Sequence, residues 1–422
     1  MKSSKTFRPR AAHKNGRILI RALLLGFFAL DRQARAQYVL APEPPTPDST
    51  PLAVQQVNEM DVFASPVSPT ASQPFKWGAL TLRPHLYYQF VYAQGIQASI
   101  NQAVNSIIQT ISPGALLEIG RHWTLDYSTA FAVYSSDQFS DTFGQSARLT
   151  GGTVYNDWIL RLILSYAQTD SPSAVTASQT RQETYSAAFN GSYTINSKMS
   201  LDMGLDQNYV SADQFSSYDE WSTLDWLNYQ FWPRLNVAAG VGGGYNDNQT
   251  GSDMSFEQFQ GRVNWRATDR IGFQIHGGVE LRQFLSGDAG DLVNPVFDAT
   301  IQYRPFGQTQ ISVTARRLVS ASYLVDQVTE TTEVSAGLEQ PFLKEFFLNL
   351  NGGYQAVKYI SSGAGSGSDR HDDYSFLNLQ IGRTFLGRGN FAVIYQLSRN
   401  FSSEPGYSFT SHQVGFQIGY SF

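Results

Sequence analysis

The chain closes on Val414-Gly415-Phe416-Gln417-Ile418-Gly419-Tyr420-Ser421-Phe422. Apolar side chains occupy every second position, and the residues between them are small or polar. A strand has a side-chain period of two, so Val414, Phe416, Ile418, Tyr420 and Phe422 share one face. In a soluble sandwich that face would meet a core. Here the last residue is itself an aromatic of that face, with no polar tail behind it.

The same alternation recurs upstream. Leu80, Leu82, Leu86, Tyr88, Phe90 and Tyr92 share one parity, and Arg83, His85, Tyr87 and Gln89 the other. Met199, Leu201, Met203 and Leu205 stand against Asp202 and Asp206. Ile271, Phe273, Ile275, Val279 and Leu281 stand against His276, Glu280 and Arg282. Residues 158–166 are apolar on both faces. In 221–231 Asp225 and Asn228 break the parity, which suggests a bulge.

The connections alternate as well. Tight turns fall near 120–122, 156–157, 196–197, 233–234, 268–269, 305–307, 340–341 and 387–389. Longer polar loops fall near 95–110, 136–141, 167–181, 211–217, 247–253, 285–291, 319–327, 360–372 and 401–406. Short turns on one side and long loops on the other are the arrangement of a membrane barrel with an even strand count. The reading is all-β: a transmembrane antiparallel β-barrel of about 18 strands, spanning residues 76–422. Trp123, Trp158, Trp265, Phe346 and Phe391, next to the tight turns, make its inner aromatic girdle.

Composition agrees. The chain has 422 residues, of which 14% are aromatic and only 15% charged, with 35 Gly. That balance fits sheets whose outer face meets lipid. There is no Cys, which excludes disulfides, thiolate metal sites and a lipid-modified Cys anchor.

Two segments precede the barrel. Residues 1–36 read as a signal peptide: a basic start, a short apolar run over Ala22–Leu30, and Ala34-Arg35-Ala36 ahead of cleavage at Gln37. Residues 37–75 are rich in Pro, Ser, Thr and Ala and read as a disordered periplasmic tail. Residues 1–36 hold nine of the basic and one of the acidic residues, so the remainder carries a formal net charge of −13. Nucleic-acid binding would need the opposite sign.

No catalytic group, cofactor motif or metal-ligand spacing emerges. Ser411 and His412 are adjacent on a strand and so point to opposite faces. The loop Ser368-Asp369-Arg370-His371-Asp372-Asp373 lacks the spacing of a calcium loop. The polar parity is instead pore-lining: Arg83, His85, Arg161, Asp202, Asp206, Arg262, Glu280, Arg282, Asp298, Arg304 and Arg316. Glu118, Asp126, Glu333 and Glu339, with Tyr87, Tyr134, Tyr374 and Phe376, complete it. Such a mixed lining suits small polar solutes, sugars included, because sugar faces stack on aromatics. Loop 95–111 is the longest and most apolar, with Ile96, Ala98, Ile100, Ala103, Val104, Ile107 and Ile108 at near-helical spacing. Folded inward, it would constrict or gate the pore; standing outward, it would favour surface binding.

Two resemblances follow from these residues. The terminal strand resembles the closing strand of bacterial outer-membrane barrels. That implies an assembly signal at Phe416, Ile418, Tyr420 and Phe422, read by the barrel assembly machinery. The segment Ser112-Pro113-Gly114-Ala115-Leu116, then Gly120-Arg121-His122-Trp123-Thr124-Leu125-Asp126-Tyr127 and Tyr134-Ser135-Ser136, is similar to the β-barrel porin 2 family. Thr180–Ser186 and Glu220–Tyr229 have the same character. The resemblance implies an outer-membrane location in contact with lipid, a passive pore, and no enzyme. Some relatives are associated with exopolysaccharide export, so an exit channel working with export partners is the alternative. A non-conducting surface or adhesin barrel is the third.

Overall fold

The structure is a computed structural model. It describes residues 75–173, 176–213, 215–286, 291–322, 327–343, 345–361 and 370–422. The expected signal segment and, apart from Phe75, the expected tail lie outside the described residues.

A short strand, β1 (Phe75–Trp77), is followed by β2 (Leu80–Ser99), β3 (Gln102–Ile119), β4 (Trp123–Tyr134), β5 (Thr142–Tyr155), β6 (Trp158–Ser173) and β7 (Ser178–Asn196). Next come β8 (Met199–Ala212), β9 (Tyr218–Trp232), β10 (Leu235–Asn248), β11 (Met254–Arg266), β12 (Ile271–Phe284) and β13 (Leu292–Tyr303). The last six are β14 (Gln310–Ala321), β15 (Gln327–Phe342), β16 (Phe346–Ser361), β17 (His371–Phe385), β18 (Gly389–Ser402) and β19 (Phe409–Ser421). Each strand from β2 onward pairs antiparallel with the next, and β19 pairs back onto β2 from Ser421↔His85 to His412↔Gln94. The ring of 18 strands is therefore closed. Closure removes the sheet edges that hydrocarbon could not solvate.

The alternation decides which face is which. Leu205, Trp221, Val241, Phe259, Ile381, Val393 and Val414 are exposed on the outside, and this apolar belt is what contacts lipid. The aromatics expected near the tight turns all point outward there, as in Trp158 on Tyr193 (4.9 Å between centroids) and Trp265 on Phe273 (5.3 Å). At the closing seam Phe416 stacks on Phe90 at 5.5 Å, and Phe422 N–H donates to the Pro84 carbonyl at 2.9 Å.

The expected turns are found, with one shift. β15 runs through Pro341 to Phe342, so that turn follows Phe342 rather than falling at 340–341. Two expected loops are largely strand, and a third is strand at its two ends. Residues 95–111 form the top of the β2–β3 hairpin, 167–181 the β6–β7 hairpin, and 319–327 the ends of β14 and β15. The near-helical spacing over 95–111 has a physical cause. Register slips between Ala93 and Ile96, so parity changes at Gln94-Gly95, and the hairpin turn resets it again. Gly95 sits at φ 76°, and a Cβ there would lie 2.2 Å from the Thr410 carbonyl oxygen, so only glycine makes the bulge.

No register shift occurs in β9 between 221 and 229, against the expected bulge. Leu224, Trp226 and Asn228 all point inward and are buried. Asp225 therefore lies on the outer face. It is tolerated there because the β8–β9 ladder skips Met203 and Gly204. Asp225 Oδ1 accepts the Gly204 N–H at 3.2 Å, while Thr223 Oγ1 donates to the Gly204 carbonyl at 2.7 Å. The side chains fill the missing rungs.

Candidate functional site

The inward face of the barrel holds the candidate site. Arg83 pairs with Glu118 at 3.1 Å near the short-turn end, with His85 next on the same face, edge-on to Tyr87 at 6.0 Å. Arg161 shares the inward parity of β6 and is exposed. Arg304 donates to Gln310 Oε1 at 3.1 Å at the short-turn rim. These four are separate from the main charged cluster.

That cluster spans β8 to β15. Asp202 accepts from Ser192 (2.8 Å), Asn228 (2.7 Å) and Arg262 (2.9 Å). The Arg262 guanidinium also stacks 4.5 Å over Trp226. Trp226 is fully buried because Gly240, its register partner, leaves room: a Cβ there would sit 2.6 Å from the indole. Next along, Arg282 and Glu280 form an ion pair at 2.8 Å with side-chain exposures of 1% and 2%. Gln258 donates to Glu280 at 2.7 Å, and Arg282 lies 4.7 Å over Phe256. Arg316 donates twice to Glu333 Oε2, at 3.0 and 2.6 Å, and Gln355 donates to the same oxygen at 3.0 Å. Asp298 lies in register between His276 and Arg316. Asp206, Glu280, Arg282, Asp298 and Arg316 all border one cavity of about 470 Å³.

A second cavity, about 330 Å³, lies against β2–β6, β18 and β19. Its walls differ in kind. Among the described residues Asp170 is the one charged residue bordering it; the rest are amides, hydroxyls, small residues, tyrosines and aliphatics, including Gln89, Gln396, Gln413, Gln417, Tyr87 and Tyr134. The lumen thus holds a charged chamber and a largely neutral one.

Two hairpins narrow the long-loop end. The β5–β6 ladder stops at Gln145↔Gln168, although β6–β7 pairing continues to Ser173↔Ser178. The β13–β14 ladder stops at Phe297↔Arg317, although β14–β15 continues to Ala321↔Val328. Each hairpin so parts from its preceding neighbour. Val319, Ala321 and Val328 pack with Val210, Tyr218 and Met254, from strands that are not their ladder partners. On the other side β6 and β7 come within 8 Å of β2 between Cα atoms. There Val91, Ala93 and Ile96 pack with Phe139 and Ile394, with Ala98, Val104 and Ile108 against them. The apolar 95–111 stretch therefore does border the mouth, as a β-hairpin face.

The split at β13–β14 has a cause in the sequence. Arg304 N–H bonds to Arg270, so even-numbered residues of β13 face β12 and odd-numbered ones face β14. The rung after Phe297↔Arg317 would need the N–H of residue 295, and Pro295 has none. Arg282 Nη2 donates to the Val319 carbonyl at 3.4 Å in its place. At the other split, Gln168 Nε2 donates to the Phe143 carbonyl at 3.0 Å. A side chain caps the first open carbonyl at both.

Sequence pattern did not single out Trp226, Asn228, Glu220 or the four glutamines as site residues. The tryptophan and asparagine lay in the stretch whose parity looked broken. Glycines at alternate positions of β10 were the available signal, since they leave a hollow for large inward neighbours. Ser411 and His412 lie on opposite faces: Ser411 is buried inside, and His412 Nδ1 lies 3.1 Å from Tyr395 Oη on the outside. His371 Nε2 is 3.3 Å from Asp373 Oδ1 at the long-loop end, and Ser368 and Asp369 lie outside the described residues.

The closed antiparallel ring with an apolar exterior and a polar interior is that of a bacterial outer-membrane β-barrel. No protein-family model matches the chain, and no curated protein does. Among solved structures the chain is similar to the outer membrane protein OpdK of Pseudomonas aeruginosa, at 10% identity and TM-score 0.44 over 81% of this chain and 99% of that one. OccAB4 of Acinetobacter baumannii aligns at 13% identity and TM-score 0.42, covering 84% and 100%. The siderophore receptor PirA of P. aeruginosa aligns at 10% identity and TM-score 0.41, covering 83% and 81%.

Proposed function

We propose that this protein is an outer-membrane pore for small polar solutes. The observation that carries this reading is the lumen. A barrel of 16–18 strands encloses more space than its side chains fill, and here that space includes cavities of about 330 and 470 Å³ with many polar side chains on their borders. Oppositely charged groups pair along the charged wall, which favours a weakly ion-selective channel over one committed to anions or cations. The resemblance of residues 112–136 to the β-barrel porin 2 family supports the same reading, as does the separation of Ser411 from His412 for a channel rather than an enzyme. The outward face of β19, with Phe416, Ile418, Tyr420 and Phe422, is the segment that barrel assembly machinery would recognise.

The β6–β7 and β14–β15 hairpins narrow the mouth, so their movement would widen the path. Refolded protein in a planar bilayer is expected to show discrete conducting steps of low open probability. Val319→Asp with Val328→Asp, which puts charge into the apolar contact of the second hairpin, is expected to raise that probability. A folded barrel that conducts in neither form would overturn the passive-pore reading and favour a channel opened by export partners.

A further inference from the structure

We infer that the neutral chamber is a binding site for an uncharged saccharide of one or two rings; this rests on the pore reading above and names the solute class. The contrast between the chambers carries the inference. One wall of the barrel is studded with ion pairs, whereas the chamber against β2, β18 and β19 has a single charged residue, Asp170, among the described residues bordering it. A charged solute entering it would shed water without gaining a counter-charge, and that is costly. The wall exposes more apolar than polar surface, with amides and hydroxyls set into it, which suits a solute with apolar ring faces and hydroxyl-bearing edges.

The amides are arranged as a set. Gln89 and Gln417 are register partners across the closing seam, and Gln396 and Gln413 are partners one rung pair above. Gln413 and Gln417 flank Gly415 on the inward face of β19, where the β2 backbone at Phe90 and Val91 packs too close for a side chain, so the two amides project on either side of it. None of the four makes a hydrogen bond to another side chain among the described residues, in contrast to the glutamines of the charged wall such as Gln258 and Gln355. Each free amide offers two donors and an acceptor in one plane. That matches vicinal hydroxyls, which donate and accept at adjacent carbons. Tyr87, on the same wall as Gln89, supplies an aromatic surface for a sugar ring. The volume of about 330 Å³ is at the small end of ligand sites, typically about 300–1,000 Å³.

The test uses the purified full barrel in detergent, checked for folding by heat modifiability, in equilibrium dialysis with labelled glucose, sucrose and glucuronate. Glucose or sucrose is expected to bind in the millimolar range, and glucuronate at least tenfold more weakly. Gln89→Leu with Gln417→Leu is expected to weaken the neutral sugar at least tenfold; Gln396→Ala with Gln413→Ala is a second pair should the first not fold. Absence of neutral-sugar binding, equal binding of glucuronate, or binding indifferent to a folded glutamine variant would overturn the inference. The wild-type comparison of glucose with glucuronate needs no variant. Conductance is measured in parallel: a protein that conducts and binds no sugar keeps the pore reading and loses this one, and a protein that binds sugar without conducting does the reverse.

Discussion

Arg282→Met tests the hinge between the barrel wall and the inward hairpin. Arg282 is 1% exposed and makes three contacts that methionine cannot replace: the ion pair to Glu280 at 2.8 Å, the bond to the Val319 carbonyl at 3.4 Å, and stacking on Phe256 at 4.7 Å. Removing one partner of a buried pair costs about 3–5 kcal/mol, because the other charge stays buried without compensation. Leaving a buried carbonyl open costs about 1–3 kcal/mol. The two overlap, and Gln258 still donates to Glu280 at 2.7 Å. A total of about 3–4 kcal/mol is therefore expected. Methionine fills similar volume, so little of the loss should be a cavity. Urea unfolding of the barrel in lipid vesicles measures it. The companion Glu280→Gln with Arg282→Met removes both charges of the pair, leaving Glu220, which Asn246 still bonds, on the same cavity, and should recover part of the loss. Single-channel recording should show the loosened hairpin as longer openings in both variants. A cost below about 1 kcal/mol for Arg282→Met, or a double variant no better than the single one, would refute the buried-charge account.

Three further outcomes are expected. Pro295→Ala restores the N–H opposite Val319, so the β13–β14 ladder should lengthen. A cysteine pair at Asn294 and Ser320, the next positions in register, should then cross-link faster than in the parent chain; equal rates would show that proline does not cause the split. Leu201→Arg places a charge on the lipid face and should cost about 2–4 kcal/mol near the bilayer midplane in a vesicle folding titration; a near-zero cost would mean that face does not meet lipid. Deleting Phe422, whose N–H bonds to Pro84 and whose ring meets Tyr420 at 4.9 Å, should sharply lower heat-modifiable barrel in the outer membrane. Unchanged levels would remove the terminal aromatic from assembly.

The sequence by itself determined the wall. Period-two alternation states for each strand which residues meet lipid, and this is local information: neighbouring side chains on a strand must point to opposite faces. The turns are local for the same reason, whereas the missing N–H of Pro295 breaks a ladder only because the register turns that position toward β14. Alternation failed to report the geometry only where parity shifts, as at Gly95, or where the inward face is apolar, as at Leu224 and Trp226. Tertiary structure decided which inward residues meet. Asp202 and Arg262 lie on strands three places apart, Arg282 reaches a carbonyl on β14, and Gln89 meets Gln417 only because the ring closes. Strand parity states that these side chains enter one lumen. Curvature, register and the inward lean of two hairpins sort them into a charged chamber and a neutral one, and those depend on the whole closed ring.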